Sequence, residues 1–369
     1  MLKSIFKDKN ILITGHTGFK GSWLSLWLTS LGANVIGYSL EPLTAPDLFS
    51  ILNLKKDMNH IIGDIRDEEK LNKTFQSCKP DIVFHLAAQA LVLPSYDNPK
   101  LTYETNIMGT INLLEAIRKT DSVRVAVNIT SDKCYENKEW IYSYRENDPL
   151  GGYDPYSSSK GACELITNAY RNSFFNPKDY NQKHNFALAS ARAGNVIGGG
   201  DWAGNRLIPD CISALAKNEK IIIRNPDSVR PWQHVLEPLS GYLRLASLMW
   251  NDPISFSESW NFGPAVQDNL SVIDITNQII KLWEKGQYEI KSNPSVHEAR
   301  LLRLDITKAC SKLDWKPVYN THKAIEETIN WYKNYYQNKN IDIKEYTLKQ
   351  IENYSEQIEK FNTKDLIKL

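Results

Sequence analysis

Asn10-Ile11-Leu12-Ile13-Thr14-Gly15-His16-Thr17-Gly18-Phe19-Lys20-Gly21 is the stretch on which the fold of this chain turns. Its first half is a short aliphatic and β-branched run closed by glycine, which reads as a buried strand. From Phe19 to Leu31 apolar residues recur at helical spacing, and Gly32 supplies the stop. The glycines between strand and helix let the backbone turn tightly and approach a pyrophosphate. The helix N-terminus that follows presents unpaired amides and a positive dipole end. Gly15, Thr17, Gly18, Phe19 and Gly21 are therefore candidate dinucleotide contacts.

Outward from this loop, strands and helices alternate. Strands are predicted at Ala33 to Tyr38, His60 to Ile62, Asp81 to His85, Val123 to Ile129 and Phe186 to Ala191, and helices at Glu68 to Ser77, Thr102 to Lys119 and Asp154 to Phe174. Such alternation means parallel pairing with right-handed crossovers, an α/β doubly wound Rossmann sheet. After Arg192 the chain is rich in glycine, proline, tryptophan and arginine, which predicts a smaller, loop-rich C-terminal substrate domain. The division is 1–192 for the dinucleotide-binding domain, with elements at about 231–262 returning to it, 193–230 and 263–340 for the second domain, and 341–369 as a lysine-rich arm. Ala324 to Tyr336 reads as an amphipathic helix, and the tail after Asn338 as a solvated, partly helical surface arm.

Composition narrows the function. The 369 residues are 42% hydrophobic and 24% charged, and 44 basic residues nearly balance 43 acidic ones. A net charge of +1 excludes a strongly basic nucleic-acid binder but leaves room for a local anion pocket. Cys78, Cys134, Cys163, Cys211 and Cys310 are odd in number and widely spaced, so neither a disulfide framework nor a metal site is expected. The opening residues lack an apolar run and no stretch suits a membrane span, so a cytoplasmic enzyme is expected.

Tyr156-Ser157-Ser158-Ser159-Lys160 places Tyr and Lys on one helix face. A tyrosine near pKa 10 is a poor base at neutral pH, and a neighbouring ammonium stabilises its anion. Lys160 can also hold a cofactor ribose. Ser131, at the end of the fifth strand, can hydrogen-bond the same substrate oxygen as Tyr156. Glu41, twenty residues after Gly21 with no arginine beside it, favours NAD over its phosphorylated form.

The G-x-x-G-x-x-G spacing resembles the extended short-chain dehydrogenase/reductase superfamily. Within it, Asp64-Ile65 resembles the pair that contacts adenine, and Leu86-Ala87-Ala88-Gln89 the stretch lining the cofactor cleft. Five segments, 15–23, 130–137 (Thr-Ser-Asp-Lys-Cys-Tyr-Glu-Asn), 151–160, 192–202 (Arg-Ala-Gly-Asn-Val-Ile-Gly-Gly-Gly-Asp-Trp) and 230–235 (Arg-Pro-Trp-Gln-His-Val), together resemble the CDP-D-glucose 4,6-dehydratase family over residues 8 to 340. The resemblance implies NAD as cofactor, CDP-glucose as substrate and a place in making 3,6-dideoxyhexoses for surface polysaccharides. It implies Ser131, Asp132, Lys133, Tyr156 and Lys160 as the catalytic set. Asp132 is the elimination acid, and Lys133 stands in the place of a glutamate, either as carbon-5 base or as a cation on the enolate oxygen. Leu93-Pro94 departs from the family, where an arginine is expected.

Asn195 resembles the residue that reaches the diphosphate, and Arg224, Arg230 and Arg303 are candidate phosphate clamps because guanidinium pairs bidentately with phosphate. His234 reads equally as a ligand contact and as a packed core histidine. His297-Glu298-Ala299 resembles a family motif near the nucleotide. A sugar-nucleotide 4-epimerase shares the Tyr-Lys machinery but has no use for Asp132-Lys133; a non-catalytic NAD-binding regulator has no use for intact Ser131, Tyr156 and Lys160. Helices at 102–119 and 154–174 match the superfamily's dimer-forming pair, so a homodimer, or a tetramer of dimers, is expected.

Overall fold

The computed structural model describes residues 2–265, 270–291 and 301–366. Seven parallel strands form the central sheet: β1 (Asn10–Thr14), β2 (Asn34–Ser39), β3 (Asn59–Ile62), β4 (Ile82–His85), β5 (Val125–Ile129), β6 (Ala187–Ala193) and β7 (Ser259–Phe262). Their order is β7-β6-β5-β4-β1-β2-β3. Ile11 pairs with Val35 on one side and Ile82 on the other, so β1 is central and buried on both faces. That burial is why it reads as a continuous apolar run rather than an alternation. The order reverses between β1 and β4, and the crevice outside their carboxyl ends is where a doubly wound sheet binds its ligand.

Helices cover both faces. On one lie α1 (Phe19–Ser30), which buries Trp23 and Trp27, and a helix from the later chain, α6 (Leu236–Asn251). On the other lie α2 (Glu68–Cys78), α3 (Gly109–Arg118) and α4 (Pro155–Ser173), whose apolar stripes meet Leu12, Val83 and Ala126. The helical pattern predicted over 102–119 is one run in three parts: an α-turn at Pro99–Tyr103, a π-turn at Glu104–Met108 and then α3. The π-turn places the buried Asn106 side chain to accept from Gln89 N–H and donate to Ser159 Oγ, both at 2.8 Å. This ties the strip after β4 to the Tyr-Lys helix.

The chain after β6 builds a smaller layer over the sheet's carboxyl edge from α5 (Leu207–Ala216), α7 (Val272–Trp283) and α8 (Thr321–Gln337), with short strand pairs between them. The tail corrects the expectation of a solvated arm. Residues Ile343–Leu366 form a helix, α9, that docks on α1 and α8. Thr347, Ile351 and Tyr354 are buried; Tyr354 meets Trp27 edge-on and its hydroxyl donates to Glu237 at 2.7 Å. Lys349 and Lys360 are exposed on the outer face, which is why the lysine content disguised an amphipathic helix.

Candidate active site

A cavity of about 1260 Å³ opens at the carboxyl ends of β1, β4, β5 and β6. Its floor is the glycine-rich loop. Gly15 has φ +76°, and a Cβ there would meet Ala87 N at 2.7 Å, so only glycine fits where the two strand ends cross. Gly18 caps α1 with no side-chain hydrogen bond, so the first-turn amides face the cleft without a capping oxygen. Thr17 Oγ1 donates to Leu40 O at 2.9 Å and pairs with Ser39 Oγ, fixing the loop to the end of β2 beside Glu41. Asp64, Ile65, Leu86, Ala87 and Ala88 line the same cavity. Arg66 forks onto Asp64 and holds its carboxyl below the usual range. Thus all ten sequence-predicted cofactor contacts in the strand-end loops converge on one groove.

Above the floor, β5 ends at Ile129, and Thr130-Ser131 lead into a tight turn, Asp132–Cys134. Ser131 Oγ accepts from Lys133 N–H at 3.2 Å and donates to Asp132 Oδ1 at 2.9 Å, so the three polar residues share one geometry. Asp132 is buried, and its Oδ2 has no hydrogen-bond partner. The carboxyl lies against Gly194, where a Cβ would be 2.9 Å from Oδ1 and closer still to Oδ2 and Cγ. Gly194 is thus a cradle for the acid. Buried carboxyl oxygens are seldom left unpaired, so Oδ2 of this cleft-lining residue is a candidate contact for a ligand hydrogen.

Tyr156 and Lys160 project from the first turns of α4, whose start is fixed by Asp154 accepting from Ser157 N–H at 2.9 Å, with Pro155 at the first helical position. Both side chains are buried and line the cleft. Burial pushes the Tyr156 phenol up to about 12; its hydrogen bond with Ser131 and the charge of Arg206 pull down, while Asp132 and Asp154 push further up. Burial also lowers the Lys160 ammonium, opposed by Cys163, Glu164 and Cys134. Phenol, hydroxyl, carboxyl and two ammonium groups within one cavity make a site for proton transfer on a polyol.

Residues 12–328 match the family model of GDP-mannose 4,6 dehydratase. The chain belongs to this dehydratase family. It is 52% identical over 332 residues to the CDP-glucose 4,6-dehydratase of Salmonella typhimurium, covering 90% of this chain and 92% of that one. It is 27% identical to the CDP-paratose 2-epimerase of Salmonella typhi, covering 87% and 98%. Among solved structures, epimerase Mth375 of Methanothermobacter thermautotrophicus superposes with a TM-score of 0.76 at 24% identity, covering 90% of this chain and 95% of that one. The Streptomyces venezuelae dTDP-glucose 4,6-dehydratase DesIV, solved with NAD bound, gives 0.74 at 20% identity, covering 88% and 96%. At those identities the superpositions speak for the fold.

For a member of the dehydratase family, the far end of the cleft holds the expected anion groups in part. Asn195, Arg224 and Arg230 line it, together with Trp232. Two of the expected contacts are not among the residues lining the cavity. His234 is fully buried outside the cavity lining, packed edge-on between Trp23 and Tyr319, so it is a core histidine; burial lowers it to about 4. Arg303 also lies outside the lining; its backbone carbonyl accepts from Tyr144 N–H, and the neighbouring Leu302 lines the cleft. His297-Glu298-Ala299 falls outside the described residues. Sequence reasoning missed Lys20, Gly194 and Arg206. Lys20 lines the cleft and is lowered to about 8 by burial, then by Arg206 and Lys160. Arg206 lines it while ion-paired to Asp201 at 2.9 Å. Lys20 and Gly194 lay in quoted segments, but no spacing shows which side chain a glycine faces.

Proposed function

We propose that this protein is an NAD-dependent sugar-nucleotide 4,6-dehydratase converting CDP-D-glucose to CDP-4-dehydro-6-deoxy-D-glucose in the cytoplasm. The observation that carries the reading is Asp132: a buried carboxyl with a partnerless oxygen, next to Ser131 and lining the same cleft as Tyr156. A 4-epimerase needs no second acid, whereas expelling the carbon-6 hydroxyl does. The 52% identity to a CDP-glucose 4,6-dehydratase supports the same substrate.

The positive φ at Gly15, the uncapped α1 terminus and Glu41 at the end of β2 fit a dinucleotide without a ribose phosphate. Bound there, NAD supplies a hydride acceptor for carbon 4 and a donor for carbon 6. The chain's own groups handle the protons. Tyr156 takes the proton of the carbon-4 hydroxyl, aided by Ser131, with Lys160 stabilising the phenolate. Lys133 receives the carbon-5 proton, which the new 4-keto group has acidified. Asp132 delivers a proton to the departing carbon-6 oxygen, which leaves as water. The proton on Lys133 then returns to carbon 5.

Asn195, Arg224 and Arg230 hold the diphosphate, with 193–230 and 263–340 acting as the sugar-nucleotide half against a dinucleotide half of 1–192 and 231–262. A homodimer through the face of α3, its preceding π-turn and α4 accounts for exposed Met108 in that turn and Leu165 on α4. No helix among the described residues is long and apolar enough to cross a membrane. The decisive experiment is incubation of the pure protein with NAD and CDP-glucose, followed by NMR of the product. A 4-keto-6-deoxyhexose is expected; a C4-epimer would overturn the assignment. Light scattering at micromolar concentration tests the dimer.

A further inference from the structure

Glu164 lies one helical turn beyond Lys160 on α4, and the two side chains are buried to 1% and 6% exposure. Residues four apart on a helix share a face, with Cβ atoms about 5–6 Å apart. The Glu164 carboxylate cannot swing away. Thr130 Oγ1 donates to its Oε1 at 2.5 Å, and Ser190 Oγ, Arg192 Nη2 and Ser259 Oγ donate to Oε2 at 2.7, 2.7 and 3.3 Å. Arg192 is fixed in turn, its Nη1 donating to Tyr135 OH at 2.7 Å and Glu146 O at 2.9 Å. Burial pushes the Glu164 carboxyl up, but Arg192 and the hydroxyl donors outweigh it and hold it below the ordinary range.

Lys160 has the opposite circumstance. Its Nζ makes one long hydrogen bond, 3.5 Å to Ile129 O, and burial disfavours its charged form. The groups around it come from several elements. Lys20 at the start of α1 is a second ammonium, and His85 of β4 is lowered by burial to about 3 and is neutral. Cys134 and Cys163 face Lys160, but burial pushes both thiols up, so they carry no charge at neutral pH. Asp132 shares the cleft but is engaged with Ser131. Arg192 stands behind Glu164 and adds positive charge.

We propose that Glu164 is a positioning residue of the catalytic machinery: one turn from Lys160 and locked by Thr130, Ser190 and Arg192, it is the fixed anion that keeps the Lys160 ammonium charged beneath Tyr156. The inference rests on the reading above that Tyr156 and Lys160 act as a pair. Because Thr130 precedes Ser131 and Asp132, the same carboxylate also ties the acid's turn to the Tyr-Lys helix. A purely structural ion pair predicts lost stability and nothing else; a counter-charge to Lys160 predicts a displaced titration.

The test is Glu164→Gln in the full-length protein carrying 13C at the lysine ε-carbons, with the Lys160 signal assigned by its loss in Lys160→Arg. Opposite charges on the order of 6 to 10 Å apart at an effective dielectric near about 20 shift a titration by roughly one to two pH units. The Lys160 midpoint should fall by about that much in Glu164→Gln, and the alkaline limb of CDP-glucose-dependent NADH formation should move down with it. An unchanged midpoint with a lowered melting temperature overturns the proposal and leaves a structural pair. Should Glu164→Gln fail to fold, Glu164→Asp retains the charge at greater distance and should move the midpoint less, in the same direction; no movement there overturns it as well. If the unaltered protein does not oxidise CDP-glucose, the functional reading falls, while the lysine titration still decides the role of Glu164.

Discussion

Replacing Gly194 with alanine should separate the two halves of the reaction. Gly194 follows β6 with its backbone outside the left-handed region, so the cost of a side chain there is steric rather than conformational. The new Cβ would lie 2.9 Å from Asp132 Oδ1 and nearer to Oδ2 and Cγ. A comfortable separation of such atoms is about 3.5 Å or more. The carboxyl must therefore retreat by roughly 1.5 Å to reach that separation, abandoning its 2.9 Å hydrogen bond from Ser131. A misplacement of about 1 Å costs on the order of a hundredfold in a step that depends on alignment. Tyr156 and Lys160 come from α4, a separate element, so oxidation at carbon 4 should survive. In a single turnover with CDP-glucose, NADH should form at near the normal rate and persist, while release of the 6-deoxy product falls about a hundredfold. Product release at the wild-type rate in a folded Gly194→Ala protein would refute the cradle, and loss of NADH formation would show that Asp132 serves the oxidation instead.

Three further expectations follow from the site and the core. Tyr156→Phe removes the general base and should slow NADH formation by about a hundred- to ten-thousandfold without changing the circular dichroism spectrum; near-normal oxidation would remove Tyr156 from that role. Lys133→Met should still reduce NAD in one turnover but block wash-out of deuterium from carbon 5 of the substrate, and exchange at the wild-type rate would assign the base elsewhere. Glu237, buried on α6, accepts from Val318 and Tyr319 N–H and Tyr354 OH, and burial raises it from 4.5 to about 7. The folded state thus binds its proton more tightly than the unfolded chain, so its contribution to stability is full below about pH 4.5 and drains away as pH rises through 7. Urea unfolding at pH 5 and pH 8 should show Glu237→Gln gaining up to about 3 kcal/mol on the wild type over that range; a difference independent of pH would sink the assignment.

Most of the fold was legible in the sequence because its signals are local. β1 reads as a strand since both its faces are buried, and α4 reads as a helix since its apolar stripe, Asp154 cap and Pro155 start lie within a few turns. The Tyr156–Lys160 spacing and the glycine loop are also local, and so both were candidate site features before any coordinates, and both line the cleft. Glu164 was equally close to Lys160, but its four-way lock draws on Thr130, Ser190, Arg192 and Ser259, which only the pairing of β5, β6 and β7 brings together. The same holds for residues whose placement differs from the expectation. His234 and Arg303 carry ligand-like side chains in suggestive segments, and composition cannot tell a buried face from a cleft. The tail was read as a solvated arm from its lysines, whereas Tyr354 and Ile351 find Trp27 and Glu237 some hundred residues or more away. Periodicity and spacing are properties of one segment, so the sequence alone determined the strands, the helices and the Tyr-Lys pair. Burial, the partnerless oxygen of Asp132 and the Gly194 cradle are properties of segments meeting, and only the tertiary structure decided them.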